Sequence, residues 1–353
     1  MKKKGIKKNR VKSIMKIVNS KNTIELNKLD DVLYSFIKNN QKIDYTHEII
    51  NQYTKKKVNE RYKNLKCYIQ QLNVLIQKPI LKQRTIEWLE ARKNILTASD
   101  LEDAISKNCM RLARKKAGVT IDNTVYSAIP ALKWGTMFEE MASRCYSQQR
   151  NNLKIYEFGL IIDENQDHFG ASPDGINEHG IMIEIKCPYS RKIKDGNIPN
   201  KYYMQIQGQL ATCCLEDCDY IECNFKDFVN FDEYLAMVNN DITVNHGVIA
   251  EFKNRITNEF SYIYSDPDLK PFESVLNIQE KQKNNTEIDL EFVKYTPWKL
   301  LEMNIQRVNF DKEQWKITCE KIQSFWNLVE ECKHLPIEDI KKKKKVEFIN
   351  EDD

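Results

Sequence analysis

Between residues 181 and 186 the chain reads I-M-I-E-I-K, an apolar run that carries an acid and a base two positions apart. Successive residues of a β-strand point to opposite faces. Glu184 and Lys186 must therefore share one face, while Ile183 and Ile185 share the other. Just upstream, S-P-D-G at 172–175 sets Asp174 in a Pro-Asp-Gly turn, a sequence with good turn chemistry. Two carboxylates and a lysine gathered at a turn and a strand suit a hard divalent cation, which takes carboxylate and carbonyl oxygens and keeps several waters. A centre of this kind is fitted to phosphodiester hydrolysis, in which a metal stabilises the attacking and leaving oxygens.

Composition is consistent with a folded enzyme. A chain of 353 residues with 41% apolar side chains can bury a sizeable core and still carry an appendage. No run approaches the roughly 18–20 apolar residues of a membrane span, and the N-terminus lacks the apolar segment of a secretory signal. Ten cysteines without paired spacing point to reduced thiols and an intracellular setting, cytoplasmic or nuclear. Cys213, Cys214, Cys218 and Cys223 cluster, but their spacing is not a familiar iron–sulfur ligand pattern, so they are expected to be core or surface thiols. Residues 1–16 hold seven lysines and Arg10 with no acid, which exceeds the net charge of +4 and leaves the remaining chain at −4. Such a run reads as a basic tail that attracts phosphate without specificity.

The fuller run S-P-D-G…E-I-K-C-P resembles the PD-(D/E)xK nuclease superfamily, and within it the YqaJ-type viral recombinase and phage lambda exonuclease family. The resemblance implies an α/β, restriction-endonuclease-like core, a mixed central sheet flanked by helices. It further implies Mg²⁺ as cofactor, with Mn²⁺ able to substitute, held by Asp174, Glu184, the Ile185 carbonyl and Glu139. Glu139 lies in A-L-K-W-G-T-M-F-E-E-M-A (131–142), which reads as a helix opening near Gly135, with Glu140 turned to solvent. Lys186 would orient or deprotonate the attacking water. In K-Y-Y-M-Q-I-Q-G-Q-L-A-T (201–212), Gln207 matches the family's active-site glutamine, with Gln205 as the alternative.

A second similar segment is W-L-E-A-R-K-N-I-L-T-A-S-D (88–100), in which the family's arginine and serine hold a DNA 5′-phosphate. Those positions here are Arg92 and Ser99. Ser99 with Glu102 also has capping-box spacing, and a helix N-terminus attracts phosphate. Arg191 is the expected second phosphate arginine, with Lys192 as the alternative. Asp163 stands where the family has an additional acid but is left outside the core site.

The resulting organisation is a basic tail at 1–20, a helical extension at 21–80, a nuclease domain at 81–335 and a charged tail at 336–353. In the extension, Ile24, Leu26, Leu29, Val32, Leu33, Phe36 and Ile37 follow helical spacing. Strands are expected at 220–225, 247–253 and 260–265, a polar loop at 267–290, and then a last helix whose apolar stripe includes Trp315, Ile322, Phe325 and Val329. The expected activity is Mg²⁺-dependent DNA hydrolysis, exonucleolytic in the 5′-to-3′ direction on duplex ends, in viral recombination or genome processing. An endonuclease, an RNA-cleaving enzyme like the alkaline nucleases, and a non-catalytic nucleic-acid-binding protein on the same fold are the alternatives. A single-strand annealing protein is a candidate partner, and a monomer or dimer is preferred to a trimer.

Overall fold

The computed structural model describes residues 23–41, 43, 52–79, 81, 85–121, 129–240, 245–266, 269–283 and 289–339. The basic runs at 1–16 and 341–345 lie outside them. Two helices come first, α1 (Thr23–Lys38) and α2 (Gln52–Ile76). Leu29, Leu33 and Phe36 meet Val58, Leu65 and Tyr68 between them. Ile24, placed on the same stripe by its spacing, is instead exposed.

The chain continues through α3 (Ile86–Lys93), β1 (Leu96–Thr97), a 3-10 turn (Ala98–Asp100), α4 (Leu101–Ile105), α5 (Met110–Lys116), β2 (Thr120–Ile121) and α6 (Pro130–Gln149). Next come β3 (Ile155–Tyr156), β4 (Ile161–Ile162), β5 (Phe169–Ala171), β6 (Gly175–Asn177), β7 (Met182–Lys186), α7 (Asn200–Cys213) and β8 (Asp217–Asp227). The last part holds α8 (Phe231–Asn240), β9 (His246–Asn254), β10 (Phe260–Tyr264), α9 (Pro271–Lys283), β11 (Leu290–Asn309), α10 (Lys312–Cys332) and β12 (Glu338–Asp339). Seven strands form a mixed sheet in the order β10-β9-β11-β8-β7-β6-β3. Within it β7 and β8 run parallel and the other neighbours antiparallel. This is the mixed sheet flanked by helices that the sequence led us to expect. No described helix is long and apolar enough to cross a membrane.

Strand faces follow the two-residue period. Ile183 and Ile185 of β7, with Ile221, Cys223 and Phe225 of β8, pack against Met137, Phe138 and Met141 of α6. Met182, Cys218 and Tyr220 point the other way, onto Ile206 and Leu210 of α7. Cys218 and Cys223 thus lie on opposite faces of one strand, and the four clustered cysteines do not converge.

Two expectations need correction. The polar stretch at 267–290 contains α9, a helix that buries only Pro271, Ser274 and Ile278 and therefore shows little apolar periodicity. The 20-residue strand β11 was not anticipated at all. Its first half pairs with β9 and its second with β8, with two register shifts. Charged residues interrupt every apolar run in it, and Pro297 sits in its middle. Proline lacks a ladder donor. Pro297 is tolerated because the pairing with β8 begins only at Trp298, and its carbonyl still accepts from the Phe228 N–H at 2.9 Å.

The helical extension is tied to the sheet by buried charge. Arg307 of β11 donates from Nε to Asp219 at 2.7 Å, from Nη1 to Asp217 at 3.0 Å, and from Nη2 to Asn27 of α1 at 2.6 Å. Arg61 of α2 joins Asp30 of α1, at 2.7 Å, to Asp217. Arg150, at the end of α6, reaches Asp31 at 2.7 Å and Tyr146 Oη at 2.8 Å, and Tyr146 donates to Asp219 at 2.7 Å. Burial pushes the Asp219 carboxyl up, but the Arg307 and Arg150 guanidiniums outweigh it and hold the group below the usual carboxylate range. Removing one partner of such a network strands the others without solvent. Arg307→Ala should lower the unfolding free energy by about 3–5 kcal/mol in denaturant titrations. The contribution of Asp219 should persist above about pH 4 and vanish as pH falls through its lower native value.

Candidate active site

Two short strands decide where the site forms. β1 pairs in parallel with β5, Leu96 opposite Phe169 and Thr97 opposite Gly170. A Cβ at Gly170 would lie 2.8 Å from the Ile161 carbonyl oxygen, so this approach requires glycine. The T-A-S turn is thereby set beside the strand that runs into S-P-D-G. Gly175 of that run begins β6 and does not adopt the left-handed conformation. A Cβ there would stand 2.6 Å from Ile155 Cγ2, so close packing explains the glycine.

β7 brings the charged groups together as its period demands. Glu184 is wholly buried. Its Oε1 accepts from Lys186 Nζ at 2.5 Å, and its Oε2 from Gln209 Nε2 at 2.8 Å. Asp174 Oδ2 accepts the Ile185 N–H at 2.7 Å, which docks the turn on the strand. Burial raises the Asp174 carboxyl well above its ordinary range, and the negative charges of Glu184 and then Glu139 push it further the same way. Burial works against the Lys186 ammonium, but Glu184 and Asp174 outweigh it and keep the lysine charged. Its ammonium also lies 4.9 Å from the Tyr202 ring centroid.

Asp174, within electrostatic reach of both Glu184 and Glu139 and balanced mainly by one lysine, makes an oxygen-rich, negatively charged centre of the kind a hard cation neutralises. The donor set fits a divalent metal. Among the described residues, however, no three acidic, histidine or cysteine groups are already drawn to a common point. Lys186 and Gln209 occupy both oxygens of Glu184 in this arrangement.

Glu139 rises from α6, which starts at Pro130 rather than near Gly135. Proline is well suited to a first helical position because its missing donor is not needed there. Glu140 turns away and pairs with Arg144 at 2.9 Å.

The glutamine expectation is corrected. Gln207 does not approach the carboxylates. It donates to the Asn309 carbonyl at 3.0 Å and accepts from the Asp311 N–H at 2.7 Å, joining α7 to the start of α10. The glutamine that touches Glu184 is Gln209. At 100° per residue, Tyr202, Gln205 and Gln209 fall on one helix face and Gln207 on nearly the opposite one. Anchoring the face on Tyr202 would have found Gln209.

Arg92 and Ser99 do come together. Arg92 lies 4.2 Å from the Trp88 ring centroid and donates to Thr97 Oγ1 at 3.1 Å, and Ser99 Oγ stands 3.1 Å from the same oxygen. Ser99 is not the capping residue that its spacing to Glu102 suggested. It sits inside the 3-10 turn, and α4 begins after Asp100 with no side-chain cap. Trp88 Nε1 donates to Ser172 Oγ at 3.4 Å, which links this cluster to the Asp174 turn. Lys116, which the sequence reading missed, donates to the carbonyls of Arg92 at 2.9 Å and Ile95 at 2.7 Å. Burial lowers the pKa of Arg92, with Asp100 opposing. Burial likewise pushes Lys116 down to about 8, against Asp100. Two part-buried cations facing one carboxylate form a centre short of negative charge.

Arg191 donates to Glu222 of β8, and Lys192 beside it is exposed. Asp163, left out of the core site, is buried and structural. It accepts from the Asn165 and Gln166 N–H groups at 2.8 and 3.0 Å and from Thr212 Oγ1 at 3.0 Å.

Residues 87–216 match the family described as the YqaJ-like viral recombinase domain. An uncharacterized protein of Acanthamoeba polyphaga mimivirus is similar at 23% identity over 303 residues, covering 73% of this chain and 54% of that protein. The chain therefore spans about half the length of that relative. An alkaline exonuclease from Laribacter hongkongensis is similar in structure at 21% identity with a TM-score of 0.43, covering 70% of this chain and 93% of that one. A phage related exonuclease from Haemophilus somnus is similar at 10% identity with a TM-score of 0.36, covering 67% and 94%.

The reassignment of Gln207 can be checked without any substrate. Gln207→Ala strips the Asp311 N–H and the Asn309 carbonyl of their partner, which should cost about 1–3 kcal/mol of stability. Chemical denaturation should report that loss, and an unchanged midpoint would return Gln207 to the list of candidate catalytic groups.

Proposed function

We propose that this chain, whose residues 87–216 carry a YqaJ-like viral recombinase domain, is a Mg²⁺-dependent DNA nuclease that digests duplex ends from the 5′ side. One observation carries the reading. The carboxylate–lysine centre around Glu184 and the cation-rich cluster around Arg92 are joined by the Trp88–Ser172 bond, two residues from Asp174. A negatively charged centre beside an anion-accepting one matches a strand whose terminal phosphate is held while a neighbouring phosphodiester is cut. The setting we propose is viral recombination or genome processing inside a host cell, with duplex ends as substrate.

Asp174, Glu184, the Ile185 carbonyl and Glu139 would hold the cation, which would supply Lewis-acid charge to the developing phosphorane oxygens. Lys186, kept as an ammonium by Glu184 and Asp174, is suited to donate to the attacking water or to a phosphoryl oxygen and so orient the attack. Gln209 fixes the second oxygen of Glu184 and with it the direction of the carboxylate. Arg92, Thr97 and Ser99 would seat the terminal phosphate, with Lys116 bracing the Arg92 carbonyl from behind.

Asp174→Asn and Glu184→Gln should abolish Mg²⁺-dependent cleavage of end-labelled duplex, as should chelation by EDTA. Lys186→Ala should remove most activity, and Gln209→Ala should lower turnover more than Gln207→Ala does. Near-normal cleavage by Asp174→Asn would sink the metal assignment.

Duplex bearing 5′-phosphate should be degraded about tenfold faster or more than the 5′-hydroxyl form, since one charge-assisted contact contributes about 1.5–3 kcal/mol. Arg92→Ala should erase that preference. Lys116 stabilises the bound anion only while protonated, so the preference should weaken as pH rises above about 8. Equal rates on both ends, or ready cutting of closed circles, would favour an endonuclease instead.

A further inference from the structure

Glu222 belongs to no part of the machinery assembled above, yet it stands beside it. It pairs in register with Lys186 across the parallel β7–β8 ladder. Cys218 and Tyr220, the alternate residues before it, face α7 together with Met182, so Glu222 shares the face that presents Glu184 and Lys186. Its carboxylate is wholly buried, a position that is unfavourable for an ionised group unless a cation and hydrogen bonds compensate. The compensating cation is Arg191, whose Nη2 donates to Glu222 Oε1. Lys186, the other cation nearby, is taken by Glu184.

Arg191 reaches this carboxylate from a long irregular segment between β7 and α7. The segment has few internal hydrogen bonds, and Tyr189, two residues before Arg191, is 54% exposed. Arg191 itself keeps 28% of its side chain accessible. Guanidinium offers five donors in a rigid fork. Glu222 takes one of them, and the contact to the Lys192 carbonyl, at 3.4 Å, is long. Arg191 is thus held on the flank of Lys186, through the carboxylate that lies in register with it. A buried ion pair contributes little net stability compared with a well-packed apolar pair. Its value here lies in orienting a cation on an otherwise loosely held segment.

We propose that Glu222 is a positioning residue: it holds Arg191 so that the remaining guanidinium donors meet the phosphodiester backbone beside Lys186. This inference rests on the nuclease reading above and adds a buried carboxylate that orients Arg191, the arginine already expected to meet phosphate. An arginine fixed before binding loses less freedom when the backbone arrives.

A double-mutant cycle tests the inference. Binding of a 5′-phosphorylated duplex is measured by fluorescence anisotropy in the Asp174→Asn background, which prevents digestion, for Glu222→Ala, Arg191→Ala and the double variant. Each single change should weaken binding about tenfold, and the double variant should bind no more weakly than Arg191→Ala alone. Glu222→Gln keeps an acceptor oxygen in an isosteric side chain and should recover part of the affinity. In the cleaving protein, Glu222→Gln should raise KM with little change in kcat, and its unfolding midpoint should match that of the unsubstituted chain. Should Glu222→Ala fail to fold, the cycle is run with Glu222→Gln under the same criterion. Additive losses, or unchanged affinity in both Glu222 variants, would overturn the positioning role and leave the nuclease reading intact. If the unsubstituted chain neither binds nor cuts duplex DNA, both fall together.

Discussion

One pair of parallel strands, β7 and β8, organises the seven-stranded sheet and what packs on it. Parallel neighbours cannot be joined by a hairpin and need a crossover connection that passes over one face of the sheet. Here the crossover carries α7, laid over the face of β7 and β8 that bears Glu184, Lys186, Tyr220 and Glu222. The same geometric requirement that lets β8 lie beside β7 delivers Gln209 to Glu184 and Tyr202 to Lys186. The other face is filled by isoleucines and α6, which supplies Glu139 from its middle.

Charge is distributed in two ways, and the difference separates scaffold from site. In the network that fastens α1 and α2 to the sheet, Arg61, Arg150 and Arg307 face Asp30, Asp31, Asp217 and Asp219, so acids and bases are nearly matched. At the candidate active site they are not. Glu184, Glu139 and Lys186 all act on Asp174, so three acids meet one base, whereas Arg92 and Lys116 share Asp100. Buried imbalance of opposite sign in adjacent centres is costly to the fold alone. A metal ion and a phosphate are the ligands whose charges would relieve each half.

Helices α1 and α2 are therefore part of how the sheet holds together. Arg307 is the hinge of that arrangement, since it touches α1 and two aspartates of β8 at once. It also explains why β8 and β11 can bury so many polar groups at the end of the sheet remote from Lys186.

What the sequence determined by itself was everything governed by local period. The two-residue repeat placed Glu184 and Lys186 on one strand face, and the turn before it placed Asp174 nearby. The strands at 220–225, 247–253 and 260–265 and the last helix were legible because their apolar residues recur at strand or helix spacing. The tertiary structure decided what no local pattern encodes. β11 was hidden because much of its surface stays accessible and its charges find partners such as Asp219 on a neighbouring strand. α9 was hidden because it rests on the sheet through only a few side chains. Gln207 and Gln209 differ by two positions on one helix, and only the direction from which α7 meets β7 tells which of them reaches Glu184. Arg191 and Arg92 look alike in sequence. The pairing of β1 with β5 sends one toward Ser99, and the register of β7 against β8 gives the other to Glu222. Side-chain periodicity is a property of neighbouring residues, whereas the partner of a buried charge is set by strands that meet only after folding.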